Sequence, residues 1–206
     1  MRPDSVVFVV DDDVAVRESL AMLLKLAGFL VVAYDSAKRF LAEARPSARD
    51  CLIADIRMPE MDGLELQQEL IRLKSPLPVI IVTGHGDVPL AVQAMKAGAV
   101  DFLEKPFARE PLLSAVRRAL ERSSQPAVSD VAEDVIGERL SLLTDREREV
   151  YDGVVAGKQS KVIAFELGAS PRTIEIHRSR VMQKMQARNL QDLVRMAIAV
   201  ANAPRR

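Results

Sequence analysis

Two rhythms of apolar residues run through the first 122 positions. Short unbroken runs, many of them β-branched, occupy Val6–Val10, 29–34, Cys51–Asp55, Val79–Thr83 and 99–103. Their length and continuity predict strands buried on both faces. Between them lie helical stretches over 14–27, 37–44, 64–74, 88–97 and 110–122. In the first, Val16, Leu20, Leu23, Leu24 and Ala27 fall on one face before Gly28 stops it. Asp35 or Ser36 can cap the second. Five strands alternating with five helices predict an α/β domain with a parallel sheet covered on both sides.

From Leu140 onward the pattern is helical throughout. Thr144 with Glu147 fits a capping box opening a helix to about Ala156, which Gly157 ends. Ser160 can cap a short helix over 161–167, stopped by Gly168. Ser170 and Pro171 suit the start of a third over 172–185. A fourth spans 190–200. Residues 123–139, small and acidic without a strong period, read as a linker that is at most partly helical. The predicted organisation is therefore 1–122, a linker over 123–139, and a helical domain over 140–206.

Charge sharpens this division. The whole chain has 29 basic and 29 acidic side chains among 206 residues. Residues 1–122 hold 16 basic against 18 acidic, 123–139 one against four, and 140–206 twelve against seven. A compact domain at +5 is the footprint of a nucleic-acid binder, though many basic surfaces bind nothing. The longest apolar runs fall far short of the ~18 residues of a membrane span. Acid follows too soon after the start for a secretory signal. One cysteine, Cys51, excludes an internal disulfide, and with only two histidines a common four-ligand zinc site is not available. The chain reads as soluble and cytoplasmic, without a membrane partner.

In parallel α/β sheets ligands bind beyond the carboxyl ends of the strands. Here those ends carry Asp11 and Asp12, Asp55 and Thr83, and Lys105 follows the fifth strand. Clustered carboxylates repel and require a cation, and an all-oxygen site suits magnesium. A carboxylate beside bound Mg²⁺ can attack phosphorus, while a lysine and a metal neutralise the transferring phosphoryl group. Each residue alone has an ordinary explanation: Asp11–Asp13 as a helix cap, Asp55 as a surface acid, Thr83 as a strand end. Their common rim is what favours a site.

VVDDD, DIRMPEMDG, VTGHGD and DFLEKPF, in this order over 5–122, resemble the receiver domain of two-component response regulators. The resemblance implies a flavodoxin-like fold and phosphorylation of Asp55 by a sensor histidine kinase. It implies Mg²⁺ (or Mn²⁺) held by Asp12, Asp55 and the Arg57 carbonyl, with Asp11 acting largely through water. Thr83 and Lys105 would contact phosphoryl oxygens across a cis Lys105–Pro106 bond, and Phe102 would turn inward when Thr83 moves. Asp13, a third acid, is given no role.

In the basic tail, Ile174, Val181 and Met185 share the face expected to pack inward. Arg172, Glu175, Ile176 and Ser179 share the other, flanked by Arg178, Arg180 and Lys184. Two short helices joined at Gly168 make a helix-turn-helix candidate over about 159–178. Its second helix would present Glu175, Ile176 and Ser179 to base edges, with Thr173 and the flanking cations on phosphates. LTDREREV and ELGASPRTIEIHRSRVMQKM resemble the LuxR-type DNA-binding domain over 140–202. That resemblance implies four helices, the last a dimer surface, and carries Thr173, Glu175, Ile176, His177, Arg178 and Ser179 over by position.

The two domains in this order resemble the FixJ-type branch of response regulators. The resemblance implies a phosphorylation-dependent transcription activator that dimerises on phosphorylation, binds double-stranded DNA and engages RNA polymerase. It points to nitrogen-fixation or oxygen-responsive control, which no residue carries. Two readings compete. Asp11-Asp12-Asp13-Val14 also fits the opening motif of haloacid-dehalogenase-type phosphatases, with Asp11 as nucleophile, but Glu110 and Glu121 do not form the further acidic pair those enzymes want. In the other, the receiver is kept and the tail binds protein.

Overall fold

A computed structural model describes residues 5–84, 88–122 and 130–202. The described residues fall into two compact units. In the first, strands β1 (Val6–Val10), β2 (Leu30–Tyr34), β3 (Cys51–Asp55), β4 (Val79–Thr83) and β5 (Asp101–Glu104) form one parallel sheet in the order β2-β1-β3-β4-β5. Helices α1 (Val14–Leu26), α2 (Ala37–Glu43) and α3 (Gly63–Arg72) make crossovers within this unit and α5 (Arg109–Arg122) follows β5, while α4 (Val88–Lys96), between β4 and β5 in the chain, groups with the second unit. This is the expected α/β flavodoxin-like order, whose reversal beside β1 sets a crevice between β1 and β3.

Burial explains the patterning. All five residues of β3 and of β4 are buried, whereas edge strand β2 leaves Leu30 and Val32 exposed. On one sheet face Val7, Val9, Ile53 and Ile80 pack with Leu20 and Leu24 of α1 and Leu112 and Val116 of α5. Val16, Leu23 and Ala27 complete the predicted stripe of α1 from its margin. On the opposite face Phe8 and Tyr34 each meet Phe40 edge-on at 5.5 Å between ring centres.

Helix starts resolve several sequence expectations. Ser36, rather than Asp35, caps α2 by accepting from Arg39 N–H. Asp62 caps α3 and forms a reciprocal box with Glu65, so this helix opens at Gly63, one residue earlier than the pattern suggested. β5 begins at Asp101, two residues later than predicted; Ala99 and Val100 are buried but precede the strand. Residues 85–87 of the predicted β4–α4 loop and 123–129 of the predicted linker lie outside the described residues.

The second unit contains α6 (Asp130–Ser141), α7 (Asp145–Val155), α8 (Ser160–Glu166), α9 (Pro171–Met185) and α10 (Leu190–Asn202). Ile136 and Leu140 of α6 belong to one core with Val150, Val154, Ile163, Ile174, Val181 and Met185. The packed unit therefore starts before residue 140, where the sequence pattern placed the linker's end. The Thr144–Glu147 capping box, the Ser170 cap and Pro171 in the first turn of α9 are as expected. α8 departs from expectation. Its cap is Gln159, without a side-chain bond, because Ser160 is already helical and its hydroxyl accepts from Arg178 instead.

Candidate functional site

The acidic rim is built by strand ends. β1 delivers Asp11 and β3 delivers Asp55, both nearly fully buried, and Thr83 at the end of β4 is wholly buried. Lys105 follows directly on β5, beside the end of β4. Its backbone N–H donates to the Thr83 carbonyl at 2.7 Å, and the Lys105–Pro106 peptide is cis. Its ammonium donates to Asp11 Oδ2 and Asp55 Oδ1, both at 2.6 Å. The remaining oxygens also have donors: Asp13 N–H reaches Asp11 Oδ1 at 3.0 Å, and Arg57 N–H reaches Asp55 Oδ2 at 2.7 Å. Burial holds the Asp11 carboxyl above its ordinary value, although Lys105 pulls the other way. For Lys105, burial lowers the pKa, but the two carboxylate bonds outweigh it and the net shift is upward. One cation thus serves two buried acids.

Asp12 stays exposed at the mouth. Asp13, to which the resemblance gave no role, caps α1 by accepting from Ala15 and Val16 N–H, so the helix-cap explanation offered for the acid run holds for its third member. Arg17, unnoticed in the sequence, donates to the carbonyls of Asp11 (2.7 Å) and Asp12 (3.2 Å) and ties down the same turn. Gly63 passes against Asp55 so closely that an added Cβ would lie 2.3 Å from the Asp55 carbonyl oxygen. Phe102 on β5 is already buried, so in this state no exposed ring waits to turn inward. The Cys51 thiol, pushed up to about 12 by burial and by the neighbouring Asp50 charge, is no nucleophile at neutral pH.

Among the described residues no three carboxyl, thiol or imidazole groups converge as a ready-made metal cluster. That does not conflict with the donor chemistry, because Mg²⁺ takes one or two carboxylates and keeps several waters. Asp11, Asp12, Asp55 and the Arg57 carbonyl offer only hard oxygens, so the set fits this ion.

On α9, Arg172, Thr173, Glu175, Ile176, Ser179 and Arg180 are exposed, and Ile174, Val181 and Met185 point into the core. Two predicted cations are committed within the protein. Arg178, half-buried, donates to Ser160 Oγ at 2.7 Å and to Glu175 at 3.4 Å. Lys184 donates to Glu147 at 2.6 Å and to the Leu142 carbonyl at 2.9 Å. Thr173 shares its hydroxyl with Ser170 at 2.8 Å. His177 turns Nδ1 into the protein, where it meets no hydrogen-bond partner among the described residues.

Glu147 is itself a test of this unit. The Lys184 bond, with the Thr144 N–H, lowers its pKa from 4.5 to about 2. A depressed carboxyl stabilises the fold fully above 4.5 and loses that contribution as pH falls toward about 2. The melting-temperature gap between the wild type and Glu147→Gln is therefore expected to be flat above pH 5 and to close across that window. A gap independent of pH there would show that Glu147 contributes through packing alone.

Comparison with known proteins now bears on this geometry. The response regulator receiver domain family matches residues 7–117, and the bacterial regulatory proteins of the luxR family match residues 141–197. The chain belongs to the response regulators that join a receiver to a LuxR-type DNA-binding domain, the FixJ type, whose function is phosphorylation-dependent regulation of transcription. It is 50% identical to the transcriptional regulatory protein FixJ of Rhizobium meliloti over 98% of both chains. With FixJ of Azorhizobium caulinodans it shares 49% over 98% of this chain and 96% of that one. Full-length FixJ from B. japonicum superposes with a TM-score of 0.56 at 45% identity, covering 98% of this chain and 99% of that one. Among the described residues no helix is long and apolar enough to cross a membrane.

Proposed function

We propose that Asp55 accepts a phosphoryl group from the phosphohistidine of a sensor kinase and that α9 is the helix that reads DNA. The single observation behind the first part is the Lys105 ammonium bridging Asp11 and Asp55 on one buried rim. One Asp55 carboxylate oxygen attacks phosphorus, a P–O bond forms, the P–N bond to imidazole breaks, and the leaving imidazole takes a proton. Magnesium, when bound, supplies charge neutralisation to the phosphoryl oxygens. Asp12, Asp55 and the Arg57 carbonyl would hold it, with Asp11 acting through water. Lys105 and Thr83 would exchange their present bonds for phosphoryl oxygens, and Phe102 would repack with Thr83. The α4–β5 face would then pair two copies, placing two α9 helices about one DNA turn, ~34 Å, apart.

On α9 the exposed Arg172 and Arg180 are the phosphate contacts, with Thr173, and Glu175, Ile176 and Ser179 face base edges. Arg178 and His177 act from the flank. Lys184, neutralised by Glu147, is a structural residue. The output is transcription activation through RNA polymerase in the cytoplasm, under the oxygen or nitrogen-fixation control that the FixJ-type resemblance implies.

A selection from random duplexes by the full chain, with and without beryllofluoride and Mg²⁺, tests the reading. Enrichment of a two-fold symmetric site with the mimic alone is expected; enrichment in neither condition overturns it. Lys105→Met separates the metal from the chemistry. Removing a cation beside the acids should tighten Mg²⁺ binding about tenfold, as expected for like charges a few ångströms apart near a surface. Phosphoryl uptake should nevertheless slow. Calorimetry on the unphosphorylated chain reads the first effect, and unchanged Mg²⁺ affinity would remove Lys105 from the metal's neighbourhood.

A further inference from the structure

The carboxyl-terminal end of α9 is gripped by the segment that precedes α7. Arg139, in the last turn of α6, sends Nη1 to the Met185 carbonyl at 3.1 Å and Nη2 to Gln186 Oε1 at 2.7 Å. Three residues on, the Leu142 carbonyl receives Lys184. Ile136 and Leu140, one turn apart on α6, pack into the core that holds the inner face of α9. A helix leaves its last carbonyls unpaired and its carboxyl end partly negative, so a guanidinium there satisfies a carbonyl and complements the dipole. Gln186 closes α9 in the left-handed region at φ 53°.

These contacts converge on one end of one helix, and Arg139 lies outside the stretch 141–197 that the luxR family covers. It is also the single basic residue of 123–139. We propose that Arg139 is a positioning residue for DNA recognition: from α6 it fixes the end of α9, and with it the angle at which the outer face of α9 meets a duplex. This rests on the reading of α9 as the recognition helix. α6 then belongs to the reading apparatus rather than to a passive tether.

The test uses the full chain and a duplex enriched by the wild type from a random pool. Arg139→Gln should weaken binding about tenfold, the scale of one charged hydrogen bond, and speed amide exchange in the last turn of α9. The slope of affinity against salt should not change. Arg180→Gln, which removes an exposed phosphate contact, should instead lose about 0.9 of slope. Arg139→Lys should restore part of the affinity, because an ammonium still meets the carbonyl.

Gln186→Gly guards against a folding defect. Glycine prefers the left-handed cap, so this variant should melt no lower than the wild type, yet bind DNA two- to threefold more weakly. Wild-type affinity in both Arg139→Gln and Gln186→Gly overturns the proposal, as does a slope that falls in Arg139→Gln, which would put Arg139 on a phosphate. Failure of the wild type to enrich any duplex instead overturns the reading of α9 itself.

Discussion

Asp55→Asn will reduce phosphoryl incorporation from a small acyl phosphate donor to background, a loss of more than about 10³-fold on the scale of removing a nucleophile. The side chain keeps its size and can still accept from Lys105, so the fold should survive. The amide cannot accept from Arg57 N–H as Asp55 Oδ2 does at 2.7 Å, and a modest drop in melting temperature should accompany the loss. Asp11→Asn and Asp12→Asn should slow uptake without abolishing it, since these acids serve the cation and not the bond to phosphorus. The pattern separates the receiver from the phosphatase reading of Asp11-Asp12-Asp13-Val14. In a phosphatase Asp11 would be the indispensable residue and Asp55 the tolerant one. Incorporation is read by mass spectrometry of the intact chain, with the label mapped after borohydride reduction. A label on Asp11, or a full signal in Asp55→Asn, would overturn the assignment.

What the sequence revealed and what it withheld divide along physical lines. Val6–Val10 is an unbroken apolar run because its strand is covered on both faces, and the acids after it mark where the sheet ends. Continuity and termination are local properties, so β1, β3 and β4 and the rim at their ends were legible. The face of α9 was legible for the same reason: Ile174, Val181 and Met185 recur at the helical spacing that burial imposes.

Partnerships between distant residues leave no such trace. Lys184 and Arg178 look like any basic flank, yet Glu147 and Ser160, 37 and 18 residues away, commit them. Arg17 reads as a polar helix position until its guanidinium is seen on the Asp11 and Asp12 carbonyls. In the sequence α6 looks like linker because Gly137 and four acids dilute its period. Its helix draws stability from Ile136 and Leu140 in a tertiary core, which propensity alone does not show. Gly137→Ala should therefore stabilise the second unit by roughly 0.5–1 kcal/mol, the cost of glycine within a helix, since an added Cβ there meets nothing within 4 Å.

Gly63→Ala should have the opposite and larger effect, and the reason lies in the site. An alanine Cβ would stand 2.3 Å from the Asp55 carbonyl oxygen, 3.0 Å from its carbonyl carbon and 3.2 Å from Ile56 Cα. All three are backbone atoms, so no rotamer change relieves the clash. Either the end of β3 or the start of α3 must move. The Gly63 N–H donates to the Ile56 carbonyl at 3.0 Å, which ties the two together. The expected cost is about 1–3 kcal/mol, the range for overpacking. Phosphoryl uptake should fall by about 10²-fold, the scale of an ångström of misplacement at a reacting group, at temperatures where circular dichroism shows the chain folded. Mg²⁺ affinity should fall with it, because Asp55 and the Arg57 carbonyl follow the same strand end. An alanine variant with wild-type uptake and stability would mean that α3 can slide on β3 without disturbing Asp55. The close packing of Gly63 would then be incidental to the site rather than the feature that holds its carboxylate in place.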